Sequence, residues 1–221
     1  MTAKRAFCGG WGSEVLYGLS LVLLVFGLIN LGWAAWPVGR EAVNLDIPSG
    51  ILPGALAGTN YAINTDYVLR VSWPRWIRLG EEGEIQVVLL PDVGESEVAQ
   101  EESATQVVLI DPRLEMLSVA PAGRLQVNLG LDQPLDTTWT VAGEAVSEYQ
   151  GKVYVSFGFY EEAEEELVPV PVAVVDVAIR LVALWGLGRP MAIWMGFVGL
   201  ALWGALFLLG RWVQLKHGLR D

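Results

Sequence analysis

MAIWMGFVGLALWGALFLLG, residues 191 to 210, runs for twenty positions without a charge, between Arg189-Pro190 and Arg211. At about 1.5 Å per residue a helix of that length spans roughly 30 Å, the thickness of a bilayer's hydrocarbon core. Leu200, Leu202, Leu206, Phe207, Leu208 and Leu209 surround its circumference and leave no polar face. A helix in a soluble core normally keeps one, so the stretch is expected to cross a membrane.

A second such run, VLYGLSLVLLVFGLINLGWAAW, occupies Val15 to Trp36, with Asn30 its one strongly polar residue. Lys4 and Arg5 precede it, as the n-region of a signal peptide would. The run is longer than a typical h-region, and the nearest Ala-x-Ala, Ala55 to Ala57, comes far too late for cleavage. An uncleaved anchor is therefore expected. Cys8 lies before this run, where a lipoprotein signal would need it afterwards, so juxtamembrane palmitoylation is the one lipidation left for it.

Charge sets the expected orientation. Lys4 and Arg5 flank the first run, and Arg211, Lys216 and Arg220 follow the second, so the positive-inside rule puts both termini in the cytoplasm. Residues 37 to 180 hold 8 Lys and Arg against 23 Asp and Glu, a net of −15; the remainder holds 6 against 2, a net of +4, and the chain totals −11. The acidity belongs to the middle segment, which is then extracytoplasmic. It excludes nucleic acid as a partner, because phosphate contacts need basic surface.

Between the runs hydrophobicity alternates. YVLRVSW places Tyr67, Leu69, Val71 and Trp73 on one side, EIQVVLL does so with Ile85, Val87 and Leu89, and RLQVNLG with Leu125, Val127 and Leu129. KVYVSFGFY sets Val153, Val155, Phe157 and Phe159 against Tyr154, Ser156 and Tyr160. Period-two alternation broken by Gly- and Pro-bearing turns is the pattern of half-buried antiparallel strands. Strands near 106–110, 137–141 and 168–179 bring the expected number to about seven. The expected fold is an all-β immunoglobulin-like antiparallel β-sandwich, flanked by one N-terminal and one C-terminal transmembrane helix. TTWTVAGEAVSEYQGKVYVSF, residues 137 to 157, reads as its late hairpin.

The expected boundaries follow. Residues 1–13 form a cytoplasmic tail, 14–36 the first transmembrane helix, and 37–65 an extracytoplasmic connection mixing Gly, Pro and apolar residues without period. Residues 66–180 form the sandwich, 181–190 an interfacial segment with Trp185 and Arg189 at headgroup level, 191–212 the second helix, and 213–221 a cytoplasmic tail. The middle segment contains no Cys, so packing and not disulfides must stabilise it.

The residues point away from catalysis. The one His, His217, lies beyond the second helix, so the middle segment has no His for a metal site or a Ser-His-Asp relay. No CxxC, HExxH or Walker loop occurs, and neither a metal nor a cofactor is expected. Carboxylates abound at 81–84, 95–102 and 161–166, in turn-like stretches that give no sign of burial. Glu161, Glu162, Glu164, Glu165 and Glu166 are the candidates for docking a basic extracytoplasmic protein.

Within the helices, small and polar residues form stripes. Ser20, Gly27, Asn30 and Ala34 recur on one face of the first, and Gly188, Ala192, Gly196 and Gly199 on the second. Such stripes let membrane helices approach closely, and an Asn is costly against lipid, so both are expected at helix contacts, within the chain or with another subunit. The expected function is a non-catalytic accessory or structural subunit of a larger complex in the cytoplasmic membrane. A free-standing receptor or adhesion module is the alternative, and an exported hydrolase using paired carboxylates a third.

Overall fold

The computed structural model describes residues 7–51, 62–63, 65–92, 106–130, 133–160 and 167–218. The chain divides into two units, one formed by Met1–Pro37 with Ala183–Asp221 and the other by Val38–Val182. The first holds two helices, α1 (Phe7–Ala35) and α2 (Arg189–Gly218). Both are long and apolar enough to cross a membrane by length and composition.

The second unit is mostly β-sheet. Its strands, among the described residues, are β1 (Arg40–Ile47), β2 (Gly50–Ile51), β3 (Ala62–Ile63), β4 (Tyr67–Pro74), β5 (Trp76–Arg78) and β6 (Gly83–Pro91), followed by β7 (Gln106–Leu114), β8 (Ser118–Ala120), β9 (Leu125–Leu129), β10 (Leu135–Ala142), β11 (Glu148–Tyr160) and β12 (Leu167–Val182). One five-stranded sheet has the order β1-β4-β6-β10-β8, the other β5-β12-β11-β7-β9, and β2 pairs with β3 alone. The seven expected strands are β4, β6, β7, β9, β10, β11 and β12.

The inward faces follow the alternation. Tyr67, Leu69, Val71 and Trp73 of β4, Ile85, Val87 and Leu89 of β6, and Val153, Val155 and Phe157 of β11 are all buried in one core. Leu125, Val127 and Phe159 pack on its margin. The Tyr67 ring of one sheet lies 5.6 Å from the Phe157 ring of the other, so the two sheets share this core, an arrangement compatible with a β-sandwich. Each large apolar side chain so buried contributes about 1.5–3 kcal/mol, which lets the unit hold together without a disulfide.

Four features differ from the expectation. Arg40–Ile47, expected within a connection, is an edge strand that pairs antiparallel with β4, Ile47 opposite Tyr67 and Arg40 opposite Pro74. Residues 137 to 157 are not a hairpin, because β10 and β11 lie in different sheets and the turn between them crosses from one to the other. Nor is every pairing antiparallel: β5, too short and too close behind β4 to have been recognised as a strand, runs parallel to the end of β12, with Trp76 opposite Arg180. Finally, β12 is one strand of sixteen residues that extends to Val182. Beyond Arg180–Val182 its outer side has no strand among the described residues. Pro169 and Pro171, which donate no N–H, and the exposed Asp176 blunt that edge.

Candidate functional site

The small-residue stripes meet. Gly27 of α1 comes so near α2 that a Cβ placed on it would lie 3.0 Å from the Gly196 carbonyl oxygen and 3.1 Å from Leu200 Cγ. A Cβ on Gly196 would fall 2.6 Å from Leu31 Cγ, and one on Gly199 would fall 3.2 Å from the Gly27 Cα. Only hydrogen fits at the centre of this contact, the geometry by which membrane helices bring their backbones together. Ser20, Gly27, Asn30 and Ala34 are all buried on α1, as are Ala192, Gly196 and Gly199 on α2. Gly188 is different: it is half-buried and precedes α2, where its carbonyl accepts the Ala192 N–H at 3.0 Å. It starts the helix and does not belong to the stripe.

The helices run antiparallel, since Tyr17 meets the far end of α2. Its hydroxyl donates to Gln214 Oε1 at 3.1 Å, and its ring stands edge-on to Phe207 at 5.7 Å. The polar residues of the stripe donate within α1: the Ser20 hydroxyl to the Tyr17 carbonyl at 2.8 Å, and Asn30 Nδ2 to the Phe26 carbonyl at 2.8 Å. Asn30 is fully buried, and its Oδ1 finds no partner among the described residues. Trp203, at mid-depth on α2, packs at 6.1 Å from Phe207.

Before α2, Leu184, Trp185, Gly186 and Leu187 make a turn closed from both sides. Leu184 N–H donates to Leu187 O at 3.2 Å and Leu187 N–H to Leu184 O at 2.9 Å. Trp185 has φ 53° and Gly186 φ 77°, so both central residues are left-handed, as a type I′ turn requires. Glycine suits that conformation; a tryptophan in it costs on the order of 1 kcal/mol. The Trp185 ring stacks on Phe26 of α1 at 5.2 Å with 10° between planes, while the side chain stays mostly exposed. The expected interfacial segment is thus a tight turn folded back along α1. The Gly after Trp185 was the only signal for it, and nothing in the sequence pointed to Phe26.

The β unit offers a weaker candidate. An open concavity of about 690 Å³ is lined by Glu41 and Trp73 from one sheet and Arg113, Lys152, Tyr154 and Asp176 from the other. Its cations are engaged: Arg113 binds Asp111 at 2.9 Å and lies over the Tyr154 ring at 5.0 Å, and Lys152 is 3.5 Å from Asp176. Such compensated, solvated pairs contribute little and leave no charge reserved for a ligand. Elsewhere, the Ser49 backbone N–H donates to the Asp66 carboxylate and holds its pKa below the ordinary value. That contact closes the loop between β1 and β4. The docking candidates Glu161, Glu162, Glu164, Glu165 and Glu166 lie outside the described residues.

No family model matches this chain, and no curated protein matches it. Among solved structures, domains 4 and 5 of the S-layer protein SbsC align over 67% of this chain and 74% of that one, at 13% identity and a TM-score of 0.25. A likeness at that score bears neither on fold nor on function.

Proposed function

We propose that the chain is an integral protein of the cytoplasmic membrane, with both termini in the cytoplasm and an acidic, immunoglobulin-like β-sandwich displayed outside. Its role is that of a non-catalytic accessory or structural subunit of a larger membrane complex. The observation that carries the membrane part is an inversion within the helix pair. Asn30 and Ser20 are buried at 0% and 3% exposure, while Val22, Leu208 and Trp194 stand 63%, 64% and 70% exposed. Water would reverse that arrangement, whereas lipid favours it. The immunoglobulin-like reading rests on two five-stranded sheets, a connection that changes sheets between β10 and β11, and the fully buried Trp139 at the centre of the core.

The subunit reading rests on the opposite face of α1. Gly18 and Gly32 are exposed with nothing within 4 Å of a Cβ placed on either, and with Val25 midway they recur every seven residues. That spacing fits a further helix alongside. One observation favours the receptor or adhesion alternative: the first two stripes are occupied by each other within this chain, so neither is free to hold another subunit.

The discriminating experiment is mild detergent extraction of a tagged chain, with mass spectrometry of what accompanies it. A subunit brings stoichiometric membrane proteins, and Gly18→Leu with Gly32→Leu releases them while the β unit stays folded. A monodisperse monomer, or recovery unaffected by the two substitutions, supports the free-standing module.

A further inference from the structure

The edges of the two large sheets are not alike. β8 has three residues and β9 five, and the long edge of β12 carries Pro169, Pro171 and Asp176, all devices that discourage a further strand. β1 has none of them: it is eight residues long, without Pro, Lys or a break in its register against β4, and its other side is unpaired among the described residues. The Arg75 N–H donates to the Gly39 carbonyl at 2.9 Å, one step beyond the Arg40–Pro74 pair, so the odd-numbered residues of β1 give their backbone groups to β4. Arg40, Ala42, Asn44 and Asp46 therefore direct N–H and C=O to the open side. Their side chains lie on the exposed outer face of the sheet, while Val43, Leu45 and Ile47 face the other sheet, Val43 still 37% exposed and Ile47 in the core.

We propose that β1 pairs antiparallel with β1 of a second copy of this chain, about a two-fold axis through Val43, joining their sheets into one. Only even-numbered residues can exchange ladder hydrogen bonds on the open side, so the axis must pass through a residue and not between two. An axis at Val43 sets Arg40 opposite Asp46 and Ala42 opposite Asn44, each twice, with the two Val43 side chains facing each other at the non-hydrogen-bonded pair. At Asn44 it would set Arg40 opposite Pro48, which has no N–H, and Asp46 opposite Ala42; at Ala42 it would set Asp46 opposite Val38, outside the strand. Charge thus selects the Val43 register. Asp46 makes no ion pair among the described residues, and Arg40 donates to the Glu84 carbonyl at 3.1 Å, which leaves most of its guanidinium donors available. Glu41 stays with its own Arg75 at 3.6 Å, opposite Leu45, so no like charges stand opposite each other. A strand of another protein would have to bring this alternation of cation and anion, whereas this chain already carries it. The inference concerns the β unit alone and does not depend on the membrane reading.

The test is disulfide trapping of the full chain, with Cys8→Ser removing its one native thiol. Cells are lysed in dodecyl maltoside, the lysate is oxidised mildly, and the products are identified by mass spectrometry. Val43→Cys sets two thiols across the axis with Cα atoms about 4.5 Å apart, within disulfide reach. In Leu45→Cys the two lie roughly 13 Å apart along the strands, beyond it, and Asn44→Cys reports the neighbouring register. Val43→Cys is expected to give at least about fivefold more disulfide dimer than either. In the Val43→Cys chain, Arg40→Asp or Asp46→Arg alone puts like charges opposite each other and should lower the yield about threefold or more, and the two together should restore it. Arg40, Val43, Asn44 and Asp46 are all exposed, so the fold should survive these changes, and recovery in the charge-swapped chain separates lost pairing from lost folding. Equal yields at the three positions, no dimer at any, or charge reversals without effect would overturn the proposal. So would a Val43→Cys disulfide to a different protein in place of the dimer, which would assign the edge to a foreign strand.

Discussion

The helix pair and the β unit solve burial in opposite ways. In the β unit the largest apolar side chains are inside, Trp139, Tyr67 and Phe157 among them, with Lys152, Asp176 and Arg180 outside. Between the helices the inside is Gly27, Gly196, Gly199, Ala192 and Asn30, and the outside is Leu, Val, Phe and Trp. A solvent that rewards hiding apolar surface explains the first arrangement and contradicts the second. In the helix pair close contact replaces the hydrophobic effect, and it is glycine that permits the contact.

The largest test of this contrast falls on the β core. Trp139→Ala removes a fully buried ring and is expected to destabilise the unit by about 3–5 kcal/mol, seen as an earlier urea midpoint in its near-ultraviolet signal. The helix pair should be untouched. A loss below about 1 kcal/mol would mean that the sheets do not share the tight core described here.

Gly196→Leu comes next. Its Cβ alone would sit 2.6 Å from Leu31, so the helices must separate, at a cost of roughly 1–3 kcal/mol. Cross-linking of cysteines introduced at Tyr17 and Gln214, which now share a hydrogen bond, should fall while the β unit melts as before. Unchanged cross-linking would show that the glycines do not govern the approach.

Asn30→Leu should do less. An interhelical hydrogen bond would be worth roughly 0.5–2 kcal/mol, but Asn30 donates to Phe26 of its own helix, so the loss is expected at or below the lower end. The same cross-linking assay reads it, and a loss as large as that of Gly196→Leu would point to a partner for Oδ1 across the interface.

The smallest effect is electrostatic. The carboxyl of Asp66 titrates below its ordinary value because Ser49 donates to it, so the contact stabilises the fold above the unfolded pKa and is lost as pH falls through the lowered one. Asp66 is fully exposed, so the difference between the original chain and Asp66→Asn should be slight at neutral pH and vanish at strongly acidic pH. A difference that instead grew as the pH fell, the original chain gaining over Asp66→Asn on acidification, would reverse that sign.

Legibility in the sequence follows the same division. Twenty uncharged residues from Met191, and small residues recurring on one helix face, are long and redundant signals, so both helices and seven of the eight stripe residues were readable. Alternation identified seven strands. It also runs through Val43, Leu45 and Ile47 of β1, but the Gly- and Pro-rich residues after them obscured it. Which sheet β11 joins, and the parallel pairing of β5, depend on contacts distant in sequence that no local period encodes. Gly188 matched the stripe's spacing and fell outside it because the helix starts one residue later.

The central claim is that α1 and α2 cross one membrane and leave the β unit on the far side from both termini. Protease added to intact spheroplasts carrying a tag after Asp221 tests it most directly. The account predicts digestion within residues 38–182, with the tag retained on a protected fragment until the membrane is permeabilised. Loss of the tag before permeabilisation, or a β unit protected together with it, would contradict the account.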